Sequence, residues 1–204
     1  MTGLLLKDFL LIKKQYFILI GLLVFYTAFA LYNEDISMFA YMSVLFAFYL
    51  PLNSFAYDER CQWNKYALSA PIKPSTLVYS KYIFSLICIA VCSLLSLVLS
   101  LFLHKGLHLD SLKTILYSAS LGIGIISIFL PFCFKLGVEK SRYILLPICM
   151  IPSIIGILLS KANVTFVPTK AMIDLIIGLL PLLILALLLL SILISKRIME
   201  HKEY

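Results

Sequence analysis

Long apolar runs separated by short polar connections make up most of the chain. Six runs are long enough to cross a bilayer, because a spanning helix needs about 20 apolar residues. They cover residues 16–32, 37–56, 77–103, 112–134, 143–160 and 171–194. The strands of a membrane barrel would alternate apolar and polar residues, whereas residues 175–194 are apolar on every face. The pattern therefore predicts an all-α, polytopic membrane protein with six transmembrane helices.

The first 15 residues are amphipathic. Apolar side chains fall on one helical face and lysines toward the other: Leu4, Leu5, Phe9 and Ile12 against Lys7, Lys13 and Lys14. We expect an interfacial helix over residues 1–15 whose lysines meet anionic lipid, with an extension of the first span as the alternative. "AFAL" (28–31) resembles a signal-peptide cleavage site. The apolar run before it is longer than the usual 7 to 15 or so residues, which favours a retained span.

Composition agrees with a membrane protein and leaves no room for a soluble domain. The 204 residues are 62% hydrophobic and 13% charged. The longest polar connection is too short to bury a core of its own, so residues 1–204 are treated as one transmembrane domain. With the N-terminus inside, thirteen of the 17 lysines and arginines lie on the inner side. The positive-inside rule then predicts a multi-pass protein of the cell membrane with both termini cytoplasmic.

The chain lacks the signatures of catalysis and metal binding. It has no phosphate-binding G-x-x-x-x-G-K-[ST] loop, and we expect neither a bound nucleotide nor a nucleic-acid partner. His104 and His108 have helical ligand spacing, but a glycine lies between them and no further ligand is visible, so no metal site is expected. Asp174 lies near the outer end of the sixth span, where water reaches it. The five cysteines lie in spans or on the cytoplasmic side, where disulfides are not expected.

One polar stretch, "YDERCQWNKYALSAPI" (57–72), interrupts the first half of the chain. Asp58, Glu59 and Arg60 are expected to be solvated on the cytoplasmic side. Trp63 and Tyr66 favour the membrane interface and are expected to anchor a short helix along the surface. The alternative is a solvated loop with an aromatic anchor.

The segment after this stretch is expected to lead into the third span. Pro71 and Pro74 should end the short helix, and Ser75 and Thr76 are candidate N-caps for the next one. Lys81 and Tyr82 are expected to be interfacial anchors, with Lys81 reaching back to the lipid headgroups.

The residues of this region resemble a known family. The order D-E-R-x-x-W-x-x-Y-x-x-S-x-P-I over 58–72, followed by S-K-Y at 80–82, is similar to short ABC-2 type permeases of low-GC Gram-positive bacteria. These include the membrane subunits of phenol-soluble modulin exporters. The opening "GLLLKDFLLIKKQ" (3–15) looks like the start of the same family. Ala70 stands where those permeases usually have leucine. The resemblance covers the whole chain, including its length and six-span layout.

The resemblance implies a half-transporter. The segment 57–76 would be a coupling helix that docks on a separate ATPase through Asp58, Glu59, Arg60, Trp63 and Tyr66. Two ATPase subunits and a second permease, identical or related, would complete the assembly. This chain would hold no cofactor, since ATP and Mg would bind the ATPase.

We expect export of an amphipathic peptide or hydrophobic compound. The alternative is a membrane protein without transport activity, such as a peptide sensor or immunity factor. A membrane-embedded enzyme ranks third, because the spans lack paired acids, a histidine cluster or a nucleophile arrangement.

Overall fold

A computed structural model describes residues 2–13, 16–33, 35–69, 74–104, 109–141, 143 and 170–201. The side chains of residues 170–179, and of a few other residues inside the helices, are outside this description. Seven helices form the described structure, which confirms the all-α prediction. They are α1 (Thr2–Ile12), α2 (Tyr16–Asn33), α3 (Ser37–Arg60), α4 (Trp63–Ser69), α5 (Pro74–His104), α6 (Leu109–Leu136) and α7 (Lys170–His201).

Four segments are long and apolar enough to cross a membrane. They are Ser37–Arg60, Pro74–Leu103, Leu109–Leu136 and Leu180–His201, which overlap the predicted second, third, fourth and sixth spans. The first predicted span corresponds to α2, a shorter apolar helix of 18 residues. At 1.5 Å per residue it is about 27 Å long, close to the hydrocarbon thickness of a bilayer. The predicted fifth span, 143–160, lies almost entirely outside the described residues.

The polar stretch after α3 contains a separate short helix. Gln62 has φ 50°, in the left-handed region, and lies between the end of α3 and the start of α4 at Trp63. A residue with this backbone conformation interrupts a right-handed helix. The expected short helix is therefore present as α4, and the alternative of a loop is wrong for residues 63–69.

The start of α5 differs from the prediction. Helix α5 begins at Pro74, so Ser75 and Thr76 lie in its first turn and are not N-caps. Proline suits the first position of a helix because its fixed φ is helical and its missing N–H would be unpaired there. Pro74 thus opens the third span instead of ending α4, and Pro71 lies outside the described residues.

Helices α3, α5, α6 and α7 pack together around one apolar core. Edge-to-face aromatic pairs join α3 to α6, with ring centroids 5.0 Å apart for Phe48 and Phe129 and 5.1 Å for Phe55 and Phe134. Helix α2 packs mainly on α3, and α1 packs on α3 and α5. On α7 large apolar side chains such as Leu182 point outward, as expected of a helix surrounded by lipid.

Hydroxyl groups connect the helices inside the bundle. The hydroxyls of Ser43 on α3 and Ser96 on α5 are 3.1 Å apart. Tyr82 on α5 bonds Ser191 and Ser195 of α7 at 2.5 and 2.9 Å. Interhelical hydrogen bonds and small residues are the usual means of association in lipid, where apolar burial gives little driving force. Tyr82, which we expected as an anchor at the membrane interface, is 1% exposed, and its hydroxyl is hydrogen-bonded inside the bundle.

Gly122 allows α3 and α6 to approach closely, and this contact is testable. A Cβ at Gly122 would lie 2.6 Å from Cγ1 of the buried Val44, whereas one at Gly124 would meet Ile184 at an ordinary 3.7 Å. We predict that Gly122→Ala lowers the unfolding free energy by about 1 to 3 kcal/mol, the usual cost of overpacking. Gly124→Ala is the matched control and should be neutral or slightly stabilising, since alanine favours helix. Unfolding in mixed micelles measures both, and equal effects would contradict the assignment.

Candidate functional site

Four charged side chains meet where α1, the end of α3 and the beginning of α5 come together. We call Lys7, Asp8, Asp58 and Lys81 the charge cluster. Lys81 Nζ lies 2.8 Å from Asp8 Oδ1 and 2.6 Å from Asp58 Oδ2. Lys7 Nζ lies 2.5 Å from Asp58 Oδ1 and 3.4 Å from Asp8 Oδ1. Each ammonium group therefore contacts both carboxylates, and the cluster as a whole is neutral.

The cluster is withdrawn from water. Asp8 is 1% exposed, Asp58 4% and Lys81 7%. Ser54 completes the polar shell, since its hydroxyl donates to Asp8 Oδ1 and accepts from Lys81 Nζ, both at 2.8 Å. The contact of Lys81 with Asp58 Oδ2 is close enough for an ion pair, but its angle is too bent for a hydrogen bond. Buried charges are tolerated only when paired and hydrogen-bonded. Every charge of the cluster is paired and each of the four residues makes at least one hydrogen bond, although Asp58 Oδ2 accepts none among the described residues.

Helical spacing explains how these side chains come to face one another. Residues four apart lie on the same face of a helix. On α1, Leu4 packs against the apolar core and Asp8 follows it on the same face. On α3, Ser54 and Asp58 have the same spacing and both contact Lys81.

Lys7 also connects the cluster to α4. Its Nζ lies 4.4 Å from the centroid of the Trp63 ring, a cation–π contact. The indole Nε1 of Trp63 is buried without a hydrogen-bond partner in the part of the chain that the structure describes. Among the described residues, Lys7 is the charged residue in contact with Trp63, and it contacts the face of the ring and not the indole nitrogen.

Glu59 attaches the end of α3 to the turn after α6. Its Oε2 accepts a hydrogen bond from the backbone N–H of Val138 at 2.6 Å. Gly137, directly before, has φ 85°, the left-handed conformation common just after a helix end. A Cβ there would collide with the Glu59 carboxylate, so this close approach requires glycine. Glu59 thus acts as a capping residue that joins the end of α3 to the turn after α6.

The outer side of the same segment is open. Arg60, Cys61 and Gln62 are exposed, and Tyr66 on α4 is 70% exposed. Arg60 lines a shallow cavity that includes Val138 and Glu139. The segment therefore has an inner side held by the bundle and an outer side available to another molecule.

Three predicted site residues have different surroundings from those expected. Asp58 was expected to be solvated but is buried, because two lysines neutralise it. Lys7 and Lys81 were expected to meet lipid headgroups, but both point to carboxylates inside the protein. Lys13 is exposed, and the side chain of Lys14 lies outside the described residues.

Sequence reasoning missed Asp8 and Ser54. Two features of the sequence could have indicated the cluster. One is the acidic residue Asp8 in the apolar first helix, and the other is Lys81, seven positions after the start of α5 at Pro74. Both groups lie where an unpaired charge is costly, so each needs a partner.

The remaining candidates add no second site. No group of three histidine, cysteine or acidic residues that could hold a metal occurs within the described ranges. Cys61, Cys88 and Cys92 are free thiols. His108 lies outside the described residues, as do the side chains of His104 and Asp174.

Fold and site together define a multi-pass helical membrane protein with four candidate spans and a structured polar segment between two of them. The chain belongs to the ABC-2 family: the family model described as "ABC-2 family transporter protein" matches residues 3–200. No curated protein and no solved structure matches the chain. Members of this family are membrane permeases without a catalytic ATPase domain, which confirms that the chain is not itself an ATPase. Membership of the family also implies ATPase partners in general.

The charge cluster predicts a strong dependence of stability on Lys81. Lys81→Met leaves two buried carboxylates with only Lys7, and removal of one partner from a buried ion pair typically costs about 3 to 5 kcal/mol. Lys113→Met is the control, because Lys113 is exposed and pairs only with exposed Asp110 at 3.6 Å. Its loss should cost less than about 0.5 kcal/mol. Unfolding of both purified variants in mixed micelles tests this, and a Lys81→Met variant as stable as the control would contradict the role of the cluster.

Proposed function

We propose that the chain is the transmembrane subunit of an ATP-driven exporter and that residues 57–76 couple it to a separate ATPase. Family membership supports the transporter class. The observation that carries the coupling role is α4, a short helix with an exposed outer side and an inner side held by Trp63 and the charge cluster. Because α4 is held in this way, a movement of α4 is transmitted to the bundle, whereas a freely moving loop would not transmit it.

The five proposed coupling residues divide into two groups. Asp58, Glu59 and Trp63 fix the segment to the bundle through an ion pair, a capping hydrogen bond and a cation–π contact. Arg60 and Tyr66 are exposed and suit direct contact with the ATPase. Arginine and tyrosine are common at the centres of protein interfaces because both combine a large contact area with hydrogen bonding.

The assembly that we propose has two ATPase subunits, which bind ATP and Mg, and a second permease, identical or related. The present chain contributes six spans, including residues 143–160, and both its termini face the cytoplasm. The distribution of lysine and arginine supports this orientation.

The substrate that we propose is an amphipathic peptide or another hydrophobic compound moved outward. Its support is the resemblance to the membrane subunits of phenol-soluble modulin exporters. A peptide sensor or immunity factor without transport activity has no specific observation in its favour.

Cys61 is a natural probe of orientation. It is exposed, whereas Cys88, Cys92 and Cys133 are buried. In a Cys149→Ser background, a membrane-impermeant maleimide should label Cys61 in inverted vesicles and at least tenfold less in intact cells. Asn33→Cys in a Cys61→Ser background is the control for the outer side and should give the opposite result. Labelling of Cys61 from outside intact cells would show that the proposed topology is inverted.

The coupling role is tested on the exposed pair. Arg60→Ala with Tyr66→Ala should weaken retention of the ATPase in a pull-down from native membranes by at least tenfold, because hot-spot side chains typically contribute 2 kcal/mol or more each. The melting temperature should stay near that of the wild type, since both side chains are exposed.

The matched control uses the same residue classes at the opposite membrane side. Lys113→Ala with Tyr32→Ala removes one exposed cation and one exposed tyrosine and should leave ATPase retention unchanged. Equal retention by the two double variants would show that residues 57–76 are not the docking segment. If the wild type retains no ATPase at all, the transporter assignment itself fails.

A further inference from the structure

The two lysines of the charge cluster are not equivalent. Lys81 has a side chain 9% exposed and reaches Asp8, Asp58 and Ser54, all of which are buried. Lys7 has a side chain 23% exposed and lies at the edge of the cluster, next to Trp63. Exchange of its contacts for water would therefore cost Lys7 less than Lys81.

The contacts also differ in what they join. Lys81, on α5, contacts Asp8 on α1 and both Ser54 and Asp58 on α3. Lys7 belongs to α1 but contacts Asp58 on α3 and the Trp63 ring on α4, so it bridges the short helix to the bundle. Without Lys7 both carboxylates still contact Lys81. Without Lys81, Asp8 keeps the hydrogen bond from Ser54, and its remaining ion pair among the described residues is the 3.4 Å contact with its neighbour Lys7.

We infer that Lys7 is the positioning residue that makes α4 and α1 move as one body when the ATPase moves α4. The inference rests on the proposed function and deepens it by naming the residue that passes movement from the coupling helix to the N-terminal helix. Asp58 holds the ammonium group of Lys7 from one side, and the Trp63 ring receives it from the other. A displacement of Trp63 therefore acts on Lys7 and, through its backbone, on the whole of α1.

Distances between spin labels test this movement without knowledge of the substrate. One label is placed on α4 by Ser69→Cys, an exposed position that is not among the proposed ATPase contacts, and the other on the exposed face of α1 by Leu10→Cys. Cys61→Ser and Cys149→Ser remove competing thiols. A second pair joins Ser69→Cys to Leu116→Cys, an exposed position on α6. The complex with the ATPase that co-purifies from native membranes is measured without nucleotide and with ATP and vanadate.

In the otherwise wild-type protein, ATP and vanadate should change the distance from position 69 to 116 and leave the distance from 69 to 10 unchanged. In Lys7→Met the distance from 69 to 10 should broaden or shift by several ångströms. Lys7→Arg keeps a cation beside Asp58 and Trp63 and should restore the narrow distribution. Lys13→Met makes the same substitution at an exposed lysine just after the end of α1 and should behave as wild type.

Two outcomes overturn the inference. One is a distance from 69 to 10 that changes with nucleotide in the wild type, and the other is a Lys7→Met variant that keeps the narrow distribution. If Lys7→Met melts too early to measure, Trp63→Leu removes the same bridge while keeping all four charges, and an unchanged distance there has the same meaning.

Failure of the proposed function gives a separate result. If the wild type retains no ATPase, or if the distance from 69 to 116 does not respond to ATP and vanadate, the coupling role is wrong and the inference is overturned with it. If the ATPase binds and position 69 moves, a negative result with Lys7→Met overturns only the role of Lys7.

Discussion

The burial of two carboxylates and two ammonium groups at one end of the bundle constrains the structure more than any other contact. Each charge alone would lose several kcal/mol of hydration on burial, so the group is tolerated only when all four members are in place. Asp8, Asp58 and Lys81 lie on three different helices. A shift of one helix by a single residue would separate an ion pair, and the cluster therefore fixes α1, α3 and α5 in one register.

Elsewhere in the bundle weaker contacts suffice. Apolar side chains gain little by leaving lipid for another helix, so close packing and hydrogen bonds must determine which faces meet. Gly122 permits a close approach, the Tyr82 hydroxyl joins α5 to α7, and edge-to-face aromatic pairs join α3 to α6. None of these contacts carries a charge. The charged end is thus the part of the bundle where a change in one helix has the largest energetic effect on its neighbours.

The apolar runs predicted the helices well because span length depends only on local composition. The proline, tryptophan and charge pattern also predicted α4. The partners of the charged residues could not be predicted in the same way. Lys81 and Asp8 are 73 positions apart, and Glu59 and Val138 are 79 apart. The sequence indicates that Lys81 needs a negatively charged or polar partner. Lipid headgroups and a carboxylate both fit that requirement, and the packing of α1 is needed to identify the partners as carboxylates.

The three stretches that resemble ABC-2 permeases meet at the charge cluster. The opening stretch supplies Lys7 and Asp8, the polar segment supplies Asp58, and "SKY" supplies Lys81. The segment between spans two and three is therefore only one part of a larger unit. Asp58 and Trp63 face inward, whereas Arg60 and Tyr66 face outward. A partner that binds Arg60 and Tyr66 would therefore contact residues adjacent to the charge cluster, which holds α1, α3 and α5 together. The coupling role that we propose for α4 therefore extends to α1, which supplies Lys7 and Asp8 to the cluster.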